Sequence, residues 1–114
     1  MMSTISTHVL DTGVGKPVSG MDVTLFNVMN GQRTEVAHDR TGSNGRIEKL
    51  GGKQEALRKG TYCLHFSTEP YFLNQSREVF YPYVEVTFHI DGQQPNYHIP
   101  LVLSPFGYVT YRGT

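Results

Sequence analysis

The C-terminal stretch, residues 97–114, is apolar and β-patterned almost to its last residue. Chain ends are usually polar and loosely ordered, so we expect a sheet or a partner to hold this one in place. The pattern predicts two strands joined by a tight turn at residues 104–107. The last four residues supply an aromatic ring, a cation, a flexible joint and a hydroxyl. This combination indicates part of a functional site rather than a free tail.

Alternation of apolar and polar residues also runs through the interior of the chain. It is clearest in segments 61–66 and 83–90, which predicts strands with one buried and one solvated face. Asn30-Gly31 predicts a hairpin, because a type I′ turn needs positive φ at both central residues. About eight short strands separated by turn signals predict an all-β protein, an antiparallel sandwich or barrel. They cover residues 5–10, 21–25, 32–38, 46–48, 61–66 and 83–90, and the two strands of the C-terminal stretch.

Helix is expected to be scarce in this chain. Residues 71–77 form the best candidate for one short helix, which would stop before Pro82. Residues 54–59 predict a single helical turn closed by Gly60, too short to be stable alone.

Size and charge restrict the class of protein. With 114 residues, the chain is expected to form one domain over positions 1–114. Ten basic side chains balance ten acidic ones, so the basic surface that nucleic acid requires is not expected. The apolar runs are too short to span a bilayer, and residues 1–10 lack the features of a secretory signal. A cytoplasmic protein is therefore expected.

Histidine supplies the clearest candidates for chemistry, since the chain contains five. His8 and His98 lie in predicted strands near either end of the chain, among small or apolar neighbours. Such a pair could act as base and acid, because an unperturbed pKa near 6.5 suits proton transfer at neutral pH. A structural role for both stays open on the pattern alone. His38, His65 and His89 fall on solvated strand faces or at strand ends, which predicts surface histidines.

Other side chains give weaker signals. Arg46 follows a glycine in a turn, where it is either solvated or able to hold an anion or a planar imide with both guanidinium nitrogens. A zinc site is not favoured, because only two suitable histidines exist and no pair of closely spaced cysteines does. Cys63, the single cysteine, cannot form an internal disulfide and is interpreted as packing on a sheet face.

Four groups of residues, taken in order, resemble a known family. They are Thr7-His8-Val9-Leu10-Asp11-Thr12 with Gly15-Lys16-Pro17, then Asn44-Gly45-Arg46, then Tyr97-His98-Ile99-Pro100-Leu101 with Leu103-Ser104-Pro105, and finally Tyr111-Arg112-Gly113. These groups resemble the 5-hydroxyisourate hydrolases, the transthyretin-like enzymes of urate breakdown. The resemblance covers nearly the whole chain, and its first and last motifs are the specific ones.

The resemblance implies a prealbumin-type, transthyretin-like β-sandwich that assembles into a homotetramer with active sites between dimers. It also implies hydrolysis of 5-hydroxyisourate to 2-oxo-4-hydroxy-4-carboxy-5-ureidoimidazoline, without a metal or a cofactor. The catalytic roles that it implies fall on His8, Arg46, His98 and Thr114. The implied substrate-binding residues are His8, Arg46, Tyr111, Arg112, Gly113 and Thr114. The family usually ends in serine, and Thr114 keeps the hydroxyl while adding a methyl group.

Two other functions stay open from the sequence. One is a transthyretin-type carrier that holds a small aromatic ligand in the same channel. A carrier of apolar ligands has no use for the polar set His8, Arg46 and His98, which weighs against it. The other is a purely structural prealbumin-like domain, which leaves the polar C-terminus unexplained.

Overall fold

The computed structural model describes residues 3–50 and 57–114. Within them ten strands and one helix follow in order: β1 (Thr4–Asp11), β2 (Lys16–Pro17), β3 (Asp22–Met29), β4 (Gln32–Arg40), β5 (Arg46–Ile47), β6 (Gly60–Phe66), α1 (Thr68–Leu73), β7 (Val84–Ile90), β8 (Asn96–His98), β9 (Leu101–Ser104) and β10 (Gly107–Thr110). They form two sheets.

The four-stranded sheet has the order β4-β3-β6-β7, and all its pairs are antiparallel. The predicted hairpin at Asn30-Gly31 is confirmed. Both residues have positive φ, 53° and 76°, and Met29 pairs with Gln32 across the turn. This is the backbone geometry that a two-residue hairpin loop requires.

The other sheet is built around β1. Its main order is β10-β9-β1-β2, and β5 and β8 also pair with β1. Two pairs in this sheet depart from the predicted antiparallel arrangement, because β1 runs parallel to both β8 and β9. Hairpin connections force neighbours to be antiparallel, but β1 lies far from β8 and β9 along the chain. No turn therefore dictates the direction in which they pair.

A single apolar cluster joins the inner faces of the two sheets. Val9, Leu101 and Leu103 enter it from the β1 sheet, whereas Leu64 and Phe66 enter from the four-stranded sheet. All five are fully buried. The prediction of a β-sandwich is confirmed by this two-layer arrangement.

The number of strands and the place of the helix differ from prediction. The expected strand at 97–103 is split into β8 and β9 at Ile99-Pro100, because proline cannot donate a ladder hydrogen bond. The helix begins at Thr68, three residues before the predicted start, and ends at Leu73. Pro70 is tolerated because it falls in the first turn, and the positive φ of Ser76 prevents continuation to residue 77.

Two smaller predictions concern the ends of the described ranges. The first half of the helical turn expected at 54–59 lies outside the described residues. In the second half the prediction is wrong, because residues 57–59 are not helical and Leu57 pairs with Ser3 in an isolated β-bridge. No helix in the described part of the chain is long and apolar enough to cross a membrane.

Candidate active site

Strand β1 presents two polar side chains on the face that turns away from the core. Ile5, Thr7 and Val9 are buried, as the alternating pattern predicts. Ser6 and His8 therefore share the opposite face. Because residues directly paired in a sheet project to the same side, the partners of Ser6 and His8 decide what else lies on this face.

Arg46 is the partner of His8. Strand β5 pairs with β1 in a register that sets Arg46 opposite His8. The preceding turn is held by Gly45, whose φ is +80° and whose backbone approaches β1 closely. A Cβ at that position would lie 2.5 Å from the carbonyl oxygen of Val9, so only glycine fits. His8 Nε2 in turn lies 2.9 Å from the backbone oxygen of Asn44.

His98 is the partner of Ser6 in the parallel pairing of β1 with β8. Its Nδ1 lies 2.8 Å from Ser6 Oγ. The C-terminal tail closes on its other side, where Gly113 N–H donates a hydrogen bond of 2.8 Å to the His98 carbonyl oxygen. A Cβ on Gly113 would lie only 2.6 Å from His98 Cδ2. Glycine at this position therefore lets the tail pack directly against the imidazole.

Burial lowers the pKa of His98 below its usual value of 6.5. The positive charge of Arg46 and the electrostatic influence of the neighbouring His8 lower this pKa further, and the carboxylate of Glu48 opposes them. The His98 ring is therefore neutral near pH 7. A neutral imidazole can accept a proton at one nitrogen and donate one from the other, which suits it to acid–base chemistry.

The tail is held by contacts beyond Gly113. The Arg112 guanidinium lies 5.3 Å from the centre of the Tyr97 ring, a cation–π distance. The Tyr97 hydroxyl donates a hydrogen bond to Asp91. Thr110 Oγ1 donates to the Pro100 carbonyl oxygen at 2.9 Å. These contacts order the segment that leads to the chain end.

Thr114 and Tyr111 lie in two different grooves. Thr114 lines a polar groove of about 400 Å³ beside the His98 strand, and its other lining residues are Gln94, Asn96, Arg112 and Gly113. Tyr111 is more than half exposed and lines an apolar groove of about 180 Å³ with Val86, Phe88, Ile99, Thr110 and Arg112. The protomer thus brings His8, Arg46, His98 and Gly113 together. Arg112 and Thr114 lie beside this group, and Tyr111 lies in the second groove.

A comparison with models of protein families identifies the family of this chain. Residues 5–113 match the model described as the HIUase/transthyretin family. The chain belongs to the HIUase/transthyretin family. A probable 5-hydroxyisourate hydrolase of Caenorhabditis elegans is 43% identical over 98% of this chain and 82% of its own length. The predicted resemblance is therefore confirmed.

Solved structures of this family agree with the fold. The 5-hydroxyisourate hydrolase of Klebsiella pneumoniae superposes with a TM-score of 0.86 and is 34% identical, covering 99% of this chain and 100% of its own. Sea bream transthyretin in complex with thyroxine superposes with a TM-score of 0.87 and is 28% identical, covering 97% and 95%. The family thus includes both hydrolases and transthyretins.

Within this HIUase/transthyretin fold, three polar neighbours of the histidines were not predicted. They are Ser6 and Asn96 beside His98, and Asn44 beside His8. Alternation could have found Ser6, because it lies two residues before His8 on the same strand. Asn96 is two residues before His98, but its contact with Ser6 depends on a pairing register that alternation does not reveal.

The remaining histidines lie away from this face, as predicted. His38 and His89 are exposed on the four-stranded sheet, and His65 Nδ1 lies 2.9 Å from Glu85 Oε2. Among residues 3–50 and 57–114, no group of three or more His, Cys, Asp or Glu side chains could hold a metal ion. Cys63 is a buried free thiol, consistent with a packing role.

Proposed function

We propose that this protein hydrolyses 5-hydroxyisourate to 2-oxo-4-hydroxy-4-carboxy-5-ureidoimidazoline. The observation that carries the proposal is the convergence of His8, Arg46 and His98, from three strands, on one face of one sheet. Relatives such as the Caenorhabditis elegans and Klebsiella pneumoniae proteins are named 5-hydroxyisourate hydrolases, which supports the same substrate here.

The three side chains provide what hydrolysis of a strained, amide-like ring bond requires. A neutral imidazole activates water by accepting its proton and passes that proton to the leaving nitrogen, and a second imidazole orients the reacting groups through a hydrogen bond. The Arg46 guanidinium binds the carbonyl and ureide oxygens and stabilises the negative charge that develops on oxygen. Each step is a proton transfer or a charge stabilisation, so this mechanism requires no metal and no redox cofactor.

The tail completes the substrate site in this proposal. The Thr114 hydroxyl and the Gly113 backbone face the substrate or the attacking water, since both lie against the His98 strand. Arg112 contributes charge at the rim of the groove while its guanidinium stacks on Tyr97. Tyr111 lines a second groove that shares Arg112 with this one and is proposed to bind substrate from a neighbouring subunit.

We infer that the protein is a homotetramer whose sites are completed between dimers. Strand β10 forms one edge of the β1 sheet and β7 one edge of the four-stranded sheet. Large apolar side chains near β10 are exposed, among them Phe106 at 62% and Val109 at 59%. Open edges and apolar exposure favour association, and homo-oligomers usually adopt closed symmetry. Light scattering that finds a fully active monomer at micromolar concentration would contradict this assembly.

A carrier function is the second candidate, because sea bream transthyretin in complex with thyroxine shares this fold. A carrier would bind an aromatic ligand stoichiometrically and leave it unchanged. The half-buried, neutral His98 beside Ser6 weighs against it, since an apolar ligand would leave the polar atoms of this face without a partner. Calorimetric titration with thyroxine distinguishes the two, because a hydrolase of this kind is expected to show no saturable binding.

The direct test is to mix the protein with freshly prepared 5-hydroxyisourate and follow its ultraviolet absorbance. Rapid decay above the spontaneous rate is expected, and it should survive EDTA. His8→Ala and His98→Ala should each lower the rate by roughly 100-fold or more, whereas His89→Ala on the exposed outer face should not. A wild-type rate equal to the spontaneous rate would refute the proposed function.

A further inference from the structure

A chain of side-chain hydrogen bonds leads to His98 from strands β1 and β8. The parallel register sets Thr4 beside Asn96 and Ser6 beside His98. Thr4 Oγ1 lies 2.8 Å from Asn96 Oδ1, Asn96 Nδ2 donates to Ser6 Oγ at 3.1 Å, and Ser6 Oγ lies 2.8 Å from His98 Nδ1. Ser6 is buried, so water does not compete freely for its hydroxyl.

The direction of each bond follows from counting protons. Thr4 has one hydroxyl proton, and the Asn96 oxygen at 2.8 Å is a closer acceptor than the Pro95 carbonyl oxygen at 3.3 Å. The amide nitrogen of Asn96 then faces Ser6 and donates to its oxygen. The Ser6 hydroxyl then donates its own proton to His98 Nδ1, which is its acceptor within the described residues. His98 Nδ1 is therefore unprotonated, and the neutral ring carries its proton on Nε2.

In His8 the ring nitrogen that is hydrogen-bonded to the protein is Nε2, whereas in His98 it is Nδ1. Its Nε2 lies 2.9 Å from the Asn44 carbonyl oxygen. A carbonyl oxygen only accepts, so His8 Nε2 must donate, and Nδ1 of the neutral ring is unprotonated. The ring edge that carries Nδ1 faces away from the turn at residues 44–45. The two imidazoles thus differ: His8 presents a lone pair and His98 presents an N–H group.

We propose that Ser6, oriented by Asn96 and Thr4, is a positioning residue that fixes the His98 tautomer, so that His98 presents its Nε2–H as a hydrogen-bond donor and His8 acts as the base. The assignment rests on the proposed function for its chemistry. Hydrolysis then balances: His8 Nδ1 takes a proton from water, and the hydroxide attacks the carbonyl carbon while His98 Nε2–H donates a hydrogen bond to the reacting group. The ring C–N bond then breaks, and the proton held by His8 passes to the leaving nitrogen, which leaves both rings neutral again.

The charged and titratable groups around His98 are consistent with this role. They are Arg46 and Glu48 from the β5 segment and His8 from β1. Burial, Arg46 and His8 hold the pKa of His98 below its ordinary value, and the Glu48 carboxylate opposes them. The ring is thus neutral at pH 7, the condition under which the choice of tautomer matters.

The test is nitrogen-15 NMR of the histidine side chains in the intact protein, without substrate. Wild-type His98 is expected to carry its proton on Nε2 alone. Ser6→Ala should give a mixture of tautomers and lower kcat by about 10- to 100-fold with KM nearly unchanged, and Ser6→Thr should restore both. Ser104→Ala is the matched control, because that hydroxyl bonds only to the Gly107 carbonyl in the β9–β10 turn.

Asn96→Asp provides a second variant of nearly the same shape. A carboxylate only accepts hydrogen bonds, so it would take the Ser6 proton and make His98 donate from Nδ1. The tautomer should therefore reverse, which a merely structural role for residue 96 would not produce. A wild-type ring protonated on Nδ1, or an unchanged NMR pattern in both Ser6→Ala and Asn96→Asp, would overturn the inference. If the wild type fails to hydrolyse 5-hydroxyisourate, the proposed function falls, and the NMR result still decides the hydrogen-bond assignment.

Discussion

Replacing Gly113 by alanine tests whether the C-terminal backbone positions His98. The added Cβ would lie 2.6 Å from His98 Cδ2 and 3.2 Å from Cβ and Cγ of the same residue. Carbon atoms in contact are normally about 3.5–4.0 Å apart, so the methyl group and the ring must separate by roughly 1 Å. Either the ring turns away from Ser6, or the tail lifts and its 2.8 Å hydrogen bond to the His98 carbonyl is lost.

Both responses are expected to harm the reaction much more than the fold. Losing one backbone hydrogen bond near the chain end costs about 1 kcal/mol, and no core residue has to move. A displacement of about 1 Å at a reacting group can lower the rate by about 100-fold, which corresponds to about 2.7 kcal/mol of transition-state stabilisation. We therefore expect Gly113→Ala to lower kcat/KM by about 100-fold while the melting temperature falls by only a few degrees.

The assay is the ultraviolet decay of freshly prepared 5-hydroxyisourate, with thermal unfolding measured on the same samples. Gly107→Ala is the matched control, because its added Cβ meets nothing closer than Ser104 Oγ at 3.7 Å. That variant should keep wild-type activity. A folded Gly113→Ala protein that is as active as the wild type would refute a positioning role for the tail.

Three further predictions follow from the tail, from His98 and from a buried ion pair. Deleting residues 112–114 should lower the rate by about 100-fold with little loss of stability, whereas Thr114→Ser should stay within a few-fold; an active deletion variant would contradict this. Because the pKa of His98 is lowered, its neutral form persists at pH 7. Protonation of His98 Nδ1 would break its hydrogen bond from Ser6, so the rate should fall only as pH drops below about 6.5, and a flat profile from about pH 5 to 8 would argue against this role for histidine. Burial alone would raise the pKa of Asp11, but hydrogen bonds from Arg77, Tyr71 and the Gly13 backbone lower this pKa overall. Stability from Asp11 is therefore present above about pH 4 and lost as pH falls further. Asp11→Ala should cost about 3 kcal/mol at pH 7 in urea unfolding, because Arg77 loses its buried partner; a change under about 1 kcal/mol would contradict this.

Local patterns in the sequence were enough to predict the strands and several turns. Alternation identified the strands at 61–66 and 83–90, and Asn30-Gly31 identified the hairpin, because both signals depend only on neighbouring residues. The helix was placed less accurately, at 71–77 instead of Thr68–Leu73. The pattern there did not show that Pro70 is acceptable within a first turn.

The sequence by itself determined that His8 and Ser6 share a face, and its motifs identified the family and drew attention to His8, Arg46 and His98. Only the tertiary structure decided that β8 pairs with β1 in parallel, which brings Ser6 to His98 Nδ1 and Asn96 to Ser6. The structure also showed that Gly113 packs on the imidazole and that Tyr111 lies in a separate groove. The physical reason is that the alternation within one strand is local, whereas the register and direction of distant strands depend on how the whole core packs.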